Sequence, residues 1–174
     1  YTRIKLDHDG YTGWIDSKTC LPLNDTDREM LHTGSRIMTH HPFTILKSKK
    51  VPFSKILGCG STVYHAGDAV VDLSKDEYIL NRYDRDPASE DPRKTLVRYG
   101  LKLVNIPYLW GGRSSFGFDC SGLCQNLYKQ VGMAIPRDSG AQSLTGKSIS
   151  LLSAAEPGDL AFFDNQQGTI IHTG

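Results

Sequence analysis

The chain has no apolar run long enough to form a transmembrane helix. It has almost no charge imbalance either. Twenty Lys and Arg stand against 19 Asp and Glu, a formal net charge of +1, which removes the electrostatic case for nucleic acid or a membrane surface as partner. Cysteine is scarce: four in 174 residues are too few for a disulfide scaffold. Cys20 and Cys59 could pair, but nothing in the sequence brings their Cβ atoms together. Cys120 and Cys124 lie four apart, yet no Cys-x-x-Cys and no clustered His complete a tetrahedral set. Neither a metal site nor a cofactor is therefore expected. The opening residues Tyr1 to Asp7 do not read as a signal peptide. What remains, 39% hydrophobic and 22% charged, suits a soluble globular chain with room for one large domain or two small ones.

Residues 1–80 carry short apolar runs broken by turn residues: Arg3-Ile4-Lys5-Leu6, Tyr11 to Ile15, Phe43 to Leu46, Lys55-Ile56-Leu57 and Ala69 to Leu73. Partial alternation, turns at Asp9-Gly10 and Ala66-Gly67-Asp68, and the lack of a long helical period predict small antiparallel β structure. The run Asp9-Gly10-Tyr11-Thr12-Gly13-Trp14-Ile15 resembles the closing hairpin of a bacterial SH3-like domain. That resemblance implies β structure over 1–82, made of the end of one barrel and a second, similar one. Asn81 to Glu90 is polar, lacks apolar periodicity and reads as a linker.

Asp91-Pro92 then supplies a helix cap and a first-turn proline. Leu96, Val97, Tyr99, Leu101 and Val104 carry the helix toward Pro107. A Gly-rich aromatic loop, Pro107 to Asp119, runs into Cys120, where a second amphipathic helix is expected to start. It extends to about Val131, with Leu123, Cys124, Leu127, Tyr128 and Val131 on its buried face and Gly132 as its stop. Pro157-Gly158-Asp159 turns into a strand, Leu160 to Phe163, and Gly168 to His172 forms the next. Helices followed by strands make the class α+β. A helix start leaves backbone N–H groups unpartnered and adds partial positive charge, which stabilises a thiolate and makes a nucleophile at neutral pH. The plainer fate of a cysteine is a small buried hydrophobe. Cys124, one turn inside the helix on its apolar face, fits that fate; Cys120 does not.

Five motifs in order, Pro107-Tyr108-x-Trp110-Gly111-Gly112, Phe118-Asp119-Cys120-Ser121-Gly122-Leu123, Pro136-Arg137-x-Ser139-x-x-Gln142, Pro157-Gly158-Asp159-Leu160-x-Phe162-Phe163 and Ile171-His172-x-Gly174, resemble the NlpC-type cysteine peptidases. The resemblance implies a papain-like catalytic domain over 83–174, incomplete at its C-terminal end. It implies cleavage of bacterial cell-wall peptides. With SH3-like structure in front, it resembles the γ-D-glutamyl-L-diamino-acid endopeptidases.

On that resemblance Cys120 is the nucleophile and His172, 52 residues on, the general base. Tyr108 helps form the oxyanion hole beside the Cys120 N–H, and Trp110 walls the cleft. Asp119 and Ser121 lie at the substrate peptide, Asp119 meeting a free L-alanine ammonium together with Tyr11 from the front domain. Ser139 contacts substrate, while Arg137 and Asp138 brace their loop as an ion pair. The family's third catalytic group falls beyond Gly174. The other histidines, His8, His32, His40, His41 and His65, have no such context.

The expectation is a cysteine endopeptidase that cuts the γ-D-glutamyl–diamino-acid bond of peptidoglycan stem peptides or muropeptides. Its partner is that peptide, and its place is the bacterial cell envelope, periplasmic or secreted, or the cytoplasm for a muropeptide-recycling enzyme. Two alternatives remain at this point: a papain-like amidase or acyltransferase on another amide, or a non-catalytic wall-binding module.

Overall fold

The structure is a computed structural model that describes residues 1–66, 69–71, 77–80 and 91–174. It opens with an antiparallel hairpin, β1 (Thr2–Lys5) and β2 (Thr12–Ile15), in which Thr2 faces Ile15 and Lys5 faces Thr12. The turn closes through Gly10, whose positive φ of 71° places it in the left-handed region that glycine enters freely.

A helix not expected from the sequence follows, α1 (Asp25–Thr33), capped by the Asn24 side chain on the Asp27 amide. It buries no residue, so no apolar stripe marks it, and only its cap and first-turn acids betray it. The remaining front strands are β3 (Ser35–Met38), β4 (Phe43–Ser48), β5 (Ser54–Gly58), β6 (Thr62–Ala66), β7 (Ala69–Val71) and β8 (Glu77–Leu80). They form one six-stranded sheet in the order β3-β6-β7-β8-β4-β5, antiparallel throughout. Leu46, Val63, Val70 and Tyr78 make its core, with Leu57 and Leu80 packed against them. Antiparallel β structure is thus found where it was expected, with β3, β6 and β8 added. The proposed linker over 81–90, the turn at Gly67-Asp68 and the end of the run at Asp72-Leu73 lie outside the described residues.

The second half begins with α2 (Pro92–Lys102), where Asp91 caps the Arg93 amide ahead of Pro92. It stops at Leu103, short of Pro107, because Asn105 turns left-handed at φ 73° and breaks the helical path. Two short strands, β9 (Arg113–Ser114) and β10 (Gly117–Phe118), lead into α3 (Cys120–Gln130), which ends as Gly132 adopts φ +78°. A single turn, α4 (Ser139–Gln142), and the hairpin of β11 (Phe162–Asp164) and β12 (Ile170–Thr173) complete the chain. Arg93 fastens the α2 start to the Pro157-Gly158-Asp159 turn, donating to the Pro157 carbonyl at 2.9 Å and to Asp159 at 2.8 Å.

The buried face of α3 is more polar than its apolar spacing implied. Leu123 and Leu127 pack beside Leu103, Phe118 and Cys59, but Gln125, Asn126 and Gln130 are buried as well. The reason is position, since the six-stranded sheet docks on that side through polar groups. Asn126 donates to the Cys59 carbonyl at 3.1 Å and accepts from Gln130 at 2.8 Å. Ser115 accepts from the Cys59 amide at 3.0 Å, and Lys129 donates to the Gly60 carbonyl at 2.6 Å. Cys59 is a free, buried thiol committed to this junction, and Cys20 is free too. Asn126→Ala strands the Cys59 carbonyl and the Gln130 amide together, so it should cost about 2–4 kcal/mol. Urea unfolding monitored by tryptophan fluorescence measures this, and a loss well under 1 kcal/mol would show that the junction is not held this way.

Candidate functional site

Cys120 is the first residue of α3, and Asp119 before it is the cap. One Asp119 oxygen accepts from the Gly122 amide at 2.7 Å and from Arg137 Nη1 at 3.0 Å. The other accepts from the Gly111 amide at 2.9 Å and from Arg137 Nη2 at 2.7 Å. The pair is bidentate, and the two side chains are 11% and 9% exposed. Burial alone raises the Asp119 pKa, but Arg137 and the two amides outweigh it and hold the carboxyl below its usual range. Arg137 thus pairs with Asp119 rather than with Asp138, which corrects the expected loop brace. Arg137 Nη1 also donates to the Ser121 hydroxyl at 2.9 Å, so the oxygens of Asp119 and Ser121 serve the helix start.

The glycines of the loop let backbones touch. Gly111 sits at φ +78°, which aims its amide at Asp119. Gly112 accepts from the Asp119 amide at 3.0 Å, and a Cβ on Gly122 would overlap the Gly112 carbonyl. Gln142, 1% exposed, ties α4 to this turn by donating to the Ser121 and Pro136 carbonyls. The Pro136-to-Gln142 motif is therefore a bracket around the α3 start.

A cleft of about 530 Å³ opens over Cys120, and its walls come from both halves of the chain. Tyr108, Trp110 and Ser139 stand on one side; Tyr11 and Trp14 from the β1–β2 hairpin stand on the other. Tyr108 is linked through Leu109 and Pro107 to Phe118 by backbone bonds of 2.9 and 3.2 Å. Partial desolvation, then the nearness of Cys120 and Asp119, pushes its phenol pKa up.

Asp138 lines the cleft too, exposed, and its carboxylate makes no hydrogen bond or ion pair with any described residue. Sequence reasoning missed it because Arg137 beside it looked like its partner. It also missed Asp9, whose signal was only a turn. The structure gathers Cys120, Tyr108, Trp110, Asp119, Ser121, Ser139 and Tyr11 around one cleft. His172 stands on β12 next to Ile171, which lines the cleft, but its own ring is exposed and lies 5.7 Å from that of Phe163. No group of His, Cys, Asp and Glu among the described residues has metal-site geometry.

Two outcomes follow from this geometry. Brief iodoacetamide treatment at neutral pH should label Cys120 before Cys59 or Cys124, both buried, the latter with its thiol pushed up to about 11 by that burial. Peptide mapping reads the order, and earlier labelling of a buried thiol would contradict the site. The Asp119–Arg137 pair is complete above the ordinary carboxyl value of 3.8 and is lost as pH falls through the lowered one. Arg137→Gln should accordingly cost about 3–5 kcal/mol at neutral pH and flatten the acid limb of the Tm–pH curve. Parallel curves for the two proteins would mean that the pair does not govern acid stability.

Residues 105–174 match the NlpC/P60 family. The gamma-D-glutamyl-L-lysine dipeptidyl-peptidase of Bacillus subtilis is 31% identical over 178 residues, covering 98% of this chain and 58% of that protein. The Bacillus cereus protein of the same name is 44% identical over 99 residues, 55% of this chain and 28% of its own. A crystal structure of an NlpC/P60 family protein from Bacillus cereus superimposes with a TM-score of 0.80 at 26% identity, covering 96% of this chain and 59% of that one. The chain therefore spans little more than half the length of the Bacillus subtilis relative. With a cysteine at the head of α3 inside the matched region, residues 105–174 belong to the NlpC/P60 family of cysteine peptidases, and the chain is a homologue of these Bacillus proteins.

Proposed function

We propose that the chain hydrolyses the γ-D-glutamyl–diamino-acid bond of peptidoglycan peptides whose L-alanine has a free amino group. The observation that carries this reading is the unpaired Asp138 carboxylate in a cleft shared by Cys120 and the hairpin residue Tyr11. A peptide ammonium entering such a cleft loses water and needs an opposite charge. Asp119 is committed elsewhere, because its oxygens already hold five donors. Asp138 can supply that charge, with the Ser139 hydroxyl and the Tyr11 phenol beside it. The amine pocket of this reading is therefore Asp138, Ser139 and Tyr11. The name of the Bacillus relatives, dipeptidyl-peptidase, agrees with a cut counted from an amino end.

In the chemical step the Cys120 thiolate attacks the γ-carbonyl carbon, and the carbonyl electrons move onto oxygen. The Cys120 N–H, at the first helical position without an intrahelical acceptor, and the Tyr108 hydroxyl stabilise that oxyanion. His172, on β12 beside the cleft-lining Ile171, takes the thiol proton. The tetrahedral adduct collapses, the C–N bond breaks, and the imidazolium protonates the departing diamino-acid amine. Water activated by the neutral imidazole then hydrolyses the thioester and frees the dipeptide carboxylate. The front β structure, on this reading SH3-like, supplies the far wall of the cleft, and the substrate puts the work of the protein in the cell envelope.

Mass spectrometry of L-Ala-γ-D-Glu-L-Lys digests tests the reading directly. The free tripeptide should yield L-Ala-γ-D-Glu, its N-acetyl form should be cut far more slowly, and Cys120→Ala or His172→Ala should abolish turnover. Asp138→Asn should lower kcat/KM on the free peptide by about 10- to 100-fold, the scale of a lost charged hydrogen bond. Equal cleavage of free and acetylated peptide would return the cleft to an open wall-cutting site.

A further inference from the structure

The hairpin that carries Tyr11 has to be held at a fixed distance from the Asp138–Ser139 turn, and one carboxylate does the holding. Asp9 lies in the β1–β2 turn with its side chain 3% exposed. Its Oδ1 accepts from the Tyr11 amide at 3.0 Å, which fixes the backbone of that residue. Its Oδ2 accepts from Gln125 Nε2 at 3.0 Å and from Arg113 Nη1 at 3.3 Å. Among the described residues, these two bonds are the only side-chain hydrogen bonds joining residues 1–20 to the rest of the chain. Gln125, 2% exposed on α3, donates in addition to the Ile135 carbonyl at 3.1 Å. Ile135 opens the segment that runs through Pro136 and Arg137 to Asp138 and Ser139.

We infer that Asp9 and Gln125 are a positioning pair that sets substrate specificity by spacing Tyr11 against Asp138 and Ser139. The inference rests on the amine-pocket reading and adds the residues that build it without touching substrate. One amide nitrogen, Gln125 Nε2, serves both walls, so a shift of either wall is felt by the other. Rigid placement matters here, because a displacement near 1 Å in a positioning group is enough to cost about 100-fold in rate. Burial raises the Asp9 pKa, but the Tyr11 amide, Gln125 and Arg113 bring it below its usual range, so the strut stays ionised at neutral pH. Asp9→Asn would turn a donor toward Gln125 and Arg113, breaking the strut with little change of volume.

The test compares kcat/KM on L-Ala-γ-D-Glu-L-Lys and on its N-acetyl form for the wild-type chain, Asp9→Asn and Gln125→Met. The wild type should prefer the free amine, and Asp9→Asn should reduce that preference about tenfold, mainly through KM. Iodoacetamide labelling of Cys120 should proceed at the wild-type rate, a readout that general loosening of the fold would move. Gln125→Met cuts the strut from the α3 side and should shift the preference in the same direction, so it decides the matter if Asp9→Asn does not fold. A wild type with no preference would remove the amine-pocket reading and this inference with it. A preference left intact by the variants would overturn the positioning pair alone.

Discussion

Everything near the thiol hangs on the carboxylate of Asp119. It caps α3 on the Gly122 amide, collects the Gly111 amide from the glycine loop, and takes Arg137 in a bidentate pair. Three segments that are distant in sequence therefore meet on two oxygen atoms. A buried ion pair returns its desolvation cost only when the remaining hydrogen-bonding capacity is also met. Here one oxygen has three donors, Gly122, Arg137 and the Ser121 hydroxyl, and the other has two, so the condition holds. The reward is positional: the first turn of α3 is pinned, and Cys120 is held where it lines the cleft. The near contact of Gly112 and Gly122 belongs to the same arrangement, since a side chain at Gly122 would push the loop off the cap.

The front half of the chain meets α3 through polar groups. Asn126, Gln125 and Lys129 reach Cys59, Asp9 and Gly60 from successive turns of one helix. A wholly apolar junction would hold as firmly but would tolerate sliding. Directed bonds to backbone carbonyls and a carboxylate fix register as well as proximity. That precision matters because hairpin residues and Cys120, from the two halves of the chain, line the same cleft.

The parts legible in the sequence were those with local signatures. Asp91-Pro92 announced α2, Gly132 closed α3, and the glycine loop before Cys120 marked the start of α3, because caps and left-handed glycines act within a few residues. Helix α1 was not legible, having no apolar face to show a period. The polar burial of Gln125 and Asn126 was not legible either, since it depends on partners far off in sequence, Asp9 116 residues away and Cys59 67 residues away. The partner of Arg137 was misread for a related reason. Asp138 is adjacent and Asp119 is 18 residues off, yet the fold brings the distant carboxylate into bidentate range. His172 was placed by its strand, and a strand pattern says nothing of which way an exposed ring turns. Its neighbour Phe163 takes it in this structure.

The Arg137–Asp119 pair also shapes the electrostatics of the cleft. Arg137 is a permanent cation lodged beside Cys120, and left uncompensated it would repel any ammonium. Asp119 cancels it at contact distance, so the pair presents little net charge to the cleft. Asp138, which also feels the Arg137 charge, is on the proposed reading the carboxylate left for a substrate amine. The order Arg137-Asp138, with Asp119 held as the cap, neutralises the arginine inside the α3 start and leaves Asp138 lining the cleft, where the proposed reading gives it the substrate amine.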